Sequence, residues 1–126
     1  MSQQPLYEVP KWAFMLLNNL YEIEKKLLAH GDIGNIGRNV EKMKDIMAVE
    51  KLFYDDPINQ EYKETRTDLE VSIAGESTEN LIVSEVIKPI IRYGDDQYSK
   101  VVQKGIVVVT SADPIGNPSE EGRGNP

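Results

Sequence analysis

The sequence predicts an α+β protein, with an antiparallel helical hairpin followed by a small antiparallel β-domain. Three observations predict it. Apolar residues step by four, three and four along two successive stretches, at Leu16, Leu20, Ile23, Leu27 and at Ile36, Val40, Met43, Met47. Two Val/Ile-rich runs, 81–87 and 101–109, flank the polar tip Tyr93-Gly94-Asp95-Asp96-Gln97. Branched side chains pack well on a pleated surface, and Gly-Asp-Asp suits a chain reversal. Between the two regimes stands Asp55-Asp56-Pro57.

The first helix is expected over 9–29. Pro10 suits a first turn, Glu22, Glu24, Lys25 and Lys26 occupy the solvent faces, and Gly31 fits a left-handed cap after His30. Residues 32–38 form the connection. The second helix is expected over 36–53 and ends before Pro57, because proline disfavours α geometry in the residue before it. The short connection makes the helices antiparallel neighbours. Their apolar stripe is wider than one partner covers, so two hairpins are expected to pair as a four-helix bundle. Leu16, Leu20, Ile23, Leu27, Val40, Met43 and Met47 would form that dimer interface.

Residues 57–66 read as a polar connecting loop. Leu69, Val71 and Ile73 alternate with polar residues, which predicts a half-buried strand over 67–74. Residues 75–80 are a turn. The two apolar runs then complete a β-domain over 67–110. Pro89 marks an edge strand or a bulge. Residues 1–8 read as an extension, and 111–126, rich in Gly and Pro, as a disordered tail.

A chain of 126 residues suits one domain, and 40% hydrophobic residues make a modest core, shared between subunits or split in two. The net charge of −7 argues against nucleic acid, whose affinity comes largely from neutralised phosphates. The lack of cysteine removes thiolate chemistry and disulfides and fits a reducing cytoplasm. No apolar run approaches the ~20 residues of a membrane span, and Met1-Ser2-Gln3-Gln4-Pro5 lacks the features of a signal peptide.

Catalytic chemistry is hard to assemble. His30, the single histidine, sits at a helix end, where a cation favours the last carbonyls. Ser72 and Ser84 have no sequence link to it. Asp55-Asp56 and Asp95-Asp96 read as helix-stop and hairpin-tip polarity, because neither has the spaced ligands of a calcium loop. Gly34 and Gly37 form an isolated G-x-x-G with no strand before it, so a helix connection explains them better than a phosphate site. The chain is therefore expected to be no enzyme and to need no cofactor or metal. A metal or small-molecule site at the paired aspartates is the competing reading.

The order of parts resembles the GrpE family. Leu16-Leu17-Asn18-Asn19-Leu20-Tyr21-Glu22-Ile23-Glu24-Lys25-Lys26-Leu27 is similar to that family's first bundle helix, roughly LLPVLDNLERAL. Asp56-Pro57-Ile58-Asn59-Gln60-Glu61-Tyr62 resembles its D-P-hydrophobic-G-E-P-F segment, and Thr67-Asp68-Leu69 falls where the family has H-E-A. Val83-Ser84-Glu85-Val86-Ile87 resembles V-V-E-V-L. Lys100-Val101-Val102-Gln103-Lys104-Gly105-Ile106-Val107-Val108-Val109 resembles R-V-L-R-P-A-x-V-V-V. The likeness covers about residues 14–111. The family's long N-terminal paired helix has no counterpart in the short stretch before Phe14, Lys88-Pro89-Ile90 replaces Q-K-G, and the tip at 94–99 is longer.

This resemblance implies a cytoplasmic homodimeric co-chaperone that does no covalent chemistry. Its β-domain would bind the nucleotide-binding domain of a DnaK-type chaperone and promote ADP release, with neither nucleic acid nor membrane as partner. Carried over by position, Ile87, Lys100 and Val109 match chaperone-contact sites, Lys100 through its charge and the two aliphatics through apolar contact. A GrpE-derived scaffold or adaptor without exchange activity is the alternative.

Overall fold

The computed structural model describes residues 9–112. The chain is α+β, with two helices and six strands in two sheets among the described residues. It divides into two compact units, which among the described residues take 9–55 with 91–103, and 56–90 with 104–112. The expected extension 1–8 lies outside the described residues, as does the expected tail apart from Ser111 and Ala112. Ser111 ends a strand rather than starting a tail.

In the first unit, helix α1 spans Lys11–His30 and helix α2 spans Ile36–Val49. Gly31, at φ 91°, ends α1 and donates its N–H to the Leu27 carbonyl at 2.8 Å. Asp32 starts α2: its carboxylate accepts from the N–H groups of Ile36 (2.6 Å) and Gly37 (3.0 Å), two donors a helix start leaves without an internal partner. The helices run antiparallel, with Gly37 near Leu27 and Lys44 on Glu24.

Helix α2 is shorter than expected. Lys51 turns into the left-handed region at φ 68°, and Leu52–Asp55 is strand β1. Its side chains alternate, with Leu52 and Tyr54 buried and Asp55 exposed, which is the period of a strand and not of a helix. Strand β1 joins β4 (Ile90–Gly94) and β5 (Ser99–Gln103) in a sheet of order β1-β4-β5. This sheet packs on the hairpin. Ala13, Leu17, Leu20, Tyr21, Val40, Met47, Leu52, Tyr54 and Ile91 are its buried apolar residues. Each fully buried large aliphatic among them contributes about 1.5–3 kcal/mol.

In the second unit, β2 (Leu69–Ile73), β3 (Leu81–Lys88) and β6 (Gly105–Ser111) form a sheet of order β2-β6-β3. The expected all-antiparallel β-domain is corrected here. Strand β3 runs antiparallel to β6, but β2 runs parallel to it, pairing Leu69 with Gly105 through Ile73 with Val109. A parallel pair needs a long crossover, and residues 74–104 provide it. The strands grouped at 67–110 on sequence grounds are distributed over both units. The long hairpin is realised as two pairs, β4–β5 and β3–β6. Pro89, fully buried, stands between β3 and β4, next to a register shift at Val86/Lys88. The segment after Pro57 is fitted along β3: Asn59 and Tyr62 donate to the carbonyls of Val83 and Leu81, and Val83 donates to Gln60, each at 2.9 Å.

Candidate interaction surfaces

The helical hairpin has two faces. One meets the sheet of its own unit. Tyr21 packs edge-on against Tyr54, with ring centroids 5.6 Å apart and planes at 77°. Asn18 and Gln103 exchange two amide hydrogen bonds of 3.0 Å. The Tyr54 hydroxyl donates to the Glu24 carboxylate, and Lys44 Nζ bonds both Glu24 oxygens at 3.2 Å while lying 4.9 Å from the centre of the Tyr54 ring. Burial, and then the bond to Glu24, raises the Tyr54 phenol well above its ordinary 10.0, because ionising it would place a second anion beside the carboxylate.

The other face is apolar and open. Trp12 is 60% exposed, Leu16 38%, Met43 37% and Ile46 64%. With half-buried Ile23 and Leu27, the α1 members step by four, seven and four; Met43 and Ile46 follow Ile36 by seven and then three. Both stripes are rotated from the buried stripe of their helix in the same sense. In an antiparallel pair that puts them on one side of the hairpin. Asn18 and Tyr21, which touch the sheet, lie on the opposite side.

This arrangement corrects the predicted dimer interface. Leu20, Val40 and Met47 are 1%, 1% and 4% exposed within the chain itself. The chain itself supplies the cover that the sequence reading assigned to a second copy. Leu16, Ile23, Leu27 and Met43 keep accessible surface and remain able to meet a partner. Trp12 and Ile46 join them. They were missed, although Trp12 stands one helical turn before Leu16 and Ile46 one turn after Met43.

The predicted chaperone-contact residues fall in both units. Lys100 is exposed on β5, paired with Tyr93 and one position past the register of Gly94 with Ser99. Ile87 is 49% exposed, at the irregularity of β3 between Val86 and Lys88. Val109 is a correction. It is fully buried in the central strand β6, between Ile73 of β2 and Val83 of β3, so it supplies core and cannot touch a partner.

The tip at 94–99 is a tight, internally bonded turn. Asp95 Oδ1 accepts from the N–H groups of Tyr98 (2.9 Å) and Gln97 (3.0 Å), and these bonds hold its carboxyl below the usual carboxylate range. Asp55 pairs with Arg92 at 2.7 Å, and Asp56 accepts from the Ile58 N–H at 3.1 Å. Asp95 and Asp56 thus serve turns and Asp55 an ion pair. Among the described residues no group of three or more His, Asp or Glu is placed to hold a metal. His30 is exposed at the end of α1. No described helix is long and apolar enough to cross a membrane.

Comparison with family models, curated proteins and solved structures gives no match to this chain.

Proposed function

We propose that the protein is a GrpE-like co-chaperone: a cytoplasmic homodimer that binds the nucleotide-binding domain of a DnaK-type chaperone and promotes ADP release. The observation that carries this reading is the open apolar face of the hairpin. Trp12, Leu16, Met43 and Ile46 lie on the side away from the sheet, where a second hairpin would complete a four-helix bundle. The ordered likeness of four segments supplies the rest. Lys100 and Ile87 offer exposed charged and apolar contacts on strands. No covalent step is needed. The factor accelerates release to the extent that it binds the open chaperone better than the closed one.

Stopped-flow release of a fluorescent ADP analogue from a DnaK-type chaperone tests this reading. Acceleration that saturates with added protein is expected, and Lys100→Glu should weaken it. An unchanged release rate at saturating protein ends the exchange claim. The burial of Val109 removes one of three carried-over chaperone contacts and favours a second reading, a GrpE-derived scaffold or adaptor without exchange activity. A pull-down from native lysate that recovers another protein and no DnaK-type chaperone, with no acceleration of release, separates the two.

A further inference from the structure

We propose that the outer edge of β2 is a docking site for an extended basic segment of a partner polypeptide, bound by strand addition. The hydrogen bonds of β2 fix which of its peptide groups face outward. Gly105 donates its N–H to the Asp68 carbonyl at 3.0 Å, and Ala74 donates to the Val109 carbonyl at 2.8 Å. Peptide groups alternate sides along a strand, so residues 68, 70, 72 and 74 face β6. The N–H and C=O groups of Leu69, Val71 and Ile73 therefore point away from the sheet. Strand β2 has no second neighbour among the described strands.

The two edges of this sheet are treated differently. Residues 59–62 are bonded along the β3 edge. The β2 edge keeps a regular register from Leu69 to Ile73, and neither proline nor lysine lies within it. Bulges, prolines and lysines are the usual guards of an exposed edge.

A cleft adjoins the open edge on the same face. It has a volume of about 580 Å³ and an apolar floor of Tyr62, Val71, Ile73 and Leu81, with Glu64 on its lining. Val71 and Ile73 share a sheet face with the buried Val107 and Val109, yet Ile73 is 47% exposed. The core face thus runs out to an edge that nothing described covers. A strand added to β2 would set every second side chain beside Val71 and Ile73, at the outer margin of this floor, where aliphatic residues fit. Main-chain bonds would give affinity and the cleft would select side chains.

Charge selects the occupant. Glu64, Glu70, Glu76 and Glu79 are exposed on β2 and its flanking turns, while Lys63, on the same cleft, lies 3.9 Å from Glu61. Lysine or arginine between the aliphatic positions complements this rim. The inference is independent of any exchange activity.

The test uses ¹⁵N-labelled protein and a short capped peptide of alternating lysine and valine. Binding is expected to slow amide exchange at Val71 and Ile73 and to leave Glu70 and Ser72, already bonded to β6, unchanged. Val71→Pro removes an outward N–H and spares the β6 ladder, so it should weaken the peptide roughly tenfold or more while keeping the fold. Ile73→Lys, which places a charge on the cleft floor, serves if the proline variant does not fold. Four results would overturn the proposal. They are equal binding of a peptide with glutamate in place of lysine, binding without protection at Val71 and Ile73, protection of those amides before peptide is added, and self-association through β2.

Discussion

Replacing Tyr54 by phenylalanine should produce a stability loss that disappears in alkali. The ring stays, so packing against Tyr21 and Lys44 is retained, and only the hydroxyl bond to Glu24 goes. A hydrogen bond to a charged group contributes about 1.5–3 kcal/mol, so Tyr54→Phe should cost about 2 kcal/mol at neutral pH. Burial and Glu24 raise the phenol above its ordinary 10.0, so the folded state holds a proton that the unfolded state releases. The stabilisation is full below pH 10.0 and is lost as pH rises towards the folded value. Above 10 the wild-type advantage should shrink by about 1.4 kcal/mol per pH unit, one proton's worth, and vanish roughly one and a half units higher. Urea unfolding followed by circular dichroism between pH 7 and 11.5 measures it. The difference between the two proteins is the readout. A constant difference across the series would refute the reasoning, because it would mean that Tyr54 does not hold its proton through the fold.

Other substitutions separate the roles of the two helix faces and of the tip. Leu16→Glu with Ile46→Glu should leave the helical content intact and turn the proposed dimer into a monomer in sedimentation, because both side chains already reach solvent. Leu20→Lys should unfold the first unit instead, since it buries an unpaired charge in the chain's own core, and melting curves distinguish the outcomes. Gly94→Ala should be strongly destabilising, by about 1–3 kcal/mol or more. Its φ is 143° and an added Cβ would lie 2.1 Å from the Tyr98 carbonyl oxygen, as a thermal shift would register. Asp95 works in the acid direction. Its lowered pKa means that its stabilisation of the tip is present above the ordinary 3.8 and is lost as pH falls through the folded value, so protection of the Gln97 and Tyr98 amides, relative to their intrinsic exchange rates, should fall below pH 3.8 in wild type and already be low at neutral pH in Asp95→Ala.

The helices were legible because their signal is local and repeated. Leu16, Leu20, Ile23 and Leu27 mark a helix whatever later covers them, and Gly31 marks its end. The runs at 81–87 and 101–109 were legible as strands for the same reason. Strand β1 was missed because Leu52 and Phe53 extend the apolar pattern of α2 by one turn, and only the left-handed Lys51 separates them. The Asp32 cap was missed because a carboxylate four residues before the first helical N–H has no fixed sequence spacing. The parallel pairing of β2 with β6 leaves no mark in either strand, since it depends on what 74–104 does between them.

Residue order alone determined the two helices and the extended segments at 69–73, 81–88 and 105–111, because backbone preference and side-chain period act over a few neighbours. Only the tertiary structure decided what covers each apolar face. Leu20 and Met43 belong to the same kind of stripe, yet one is sealed at 1% exposure within the chain itself and the other remains open at 37%. The physical reason is that burial is a property of distant segments meeting. Strands β4 and β5 reach the hairpin's unit across long stretches of chain, and no local period records their arrival.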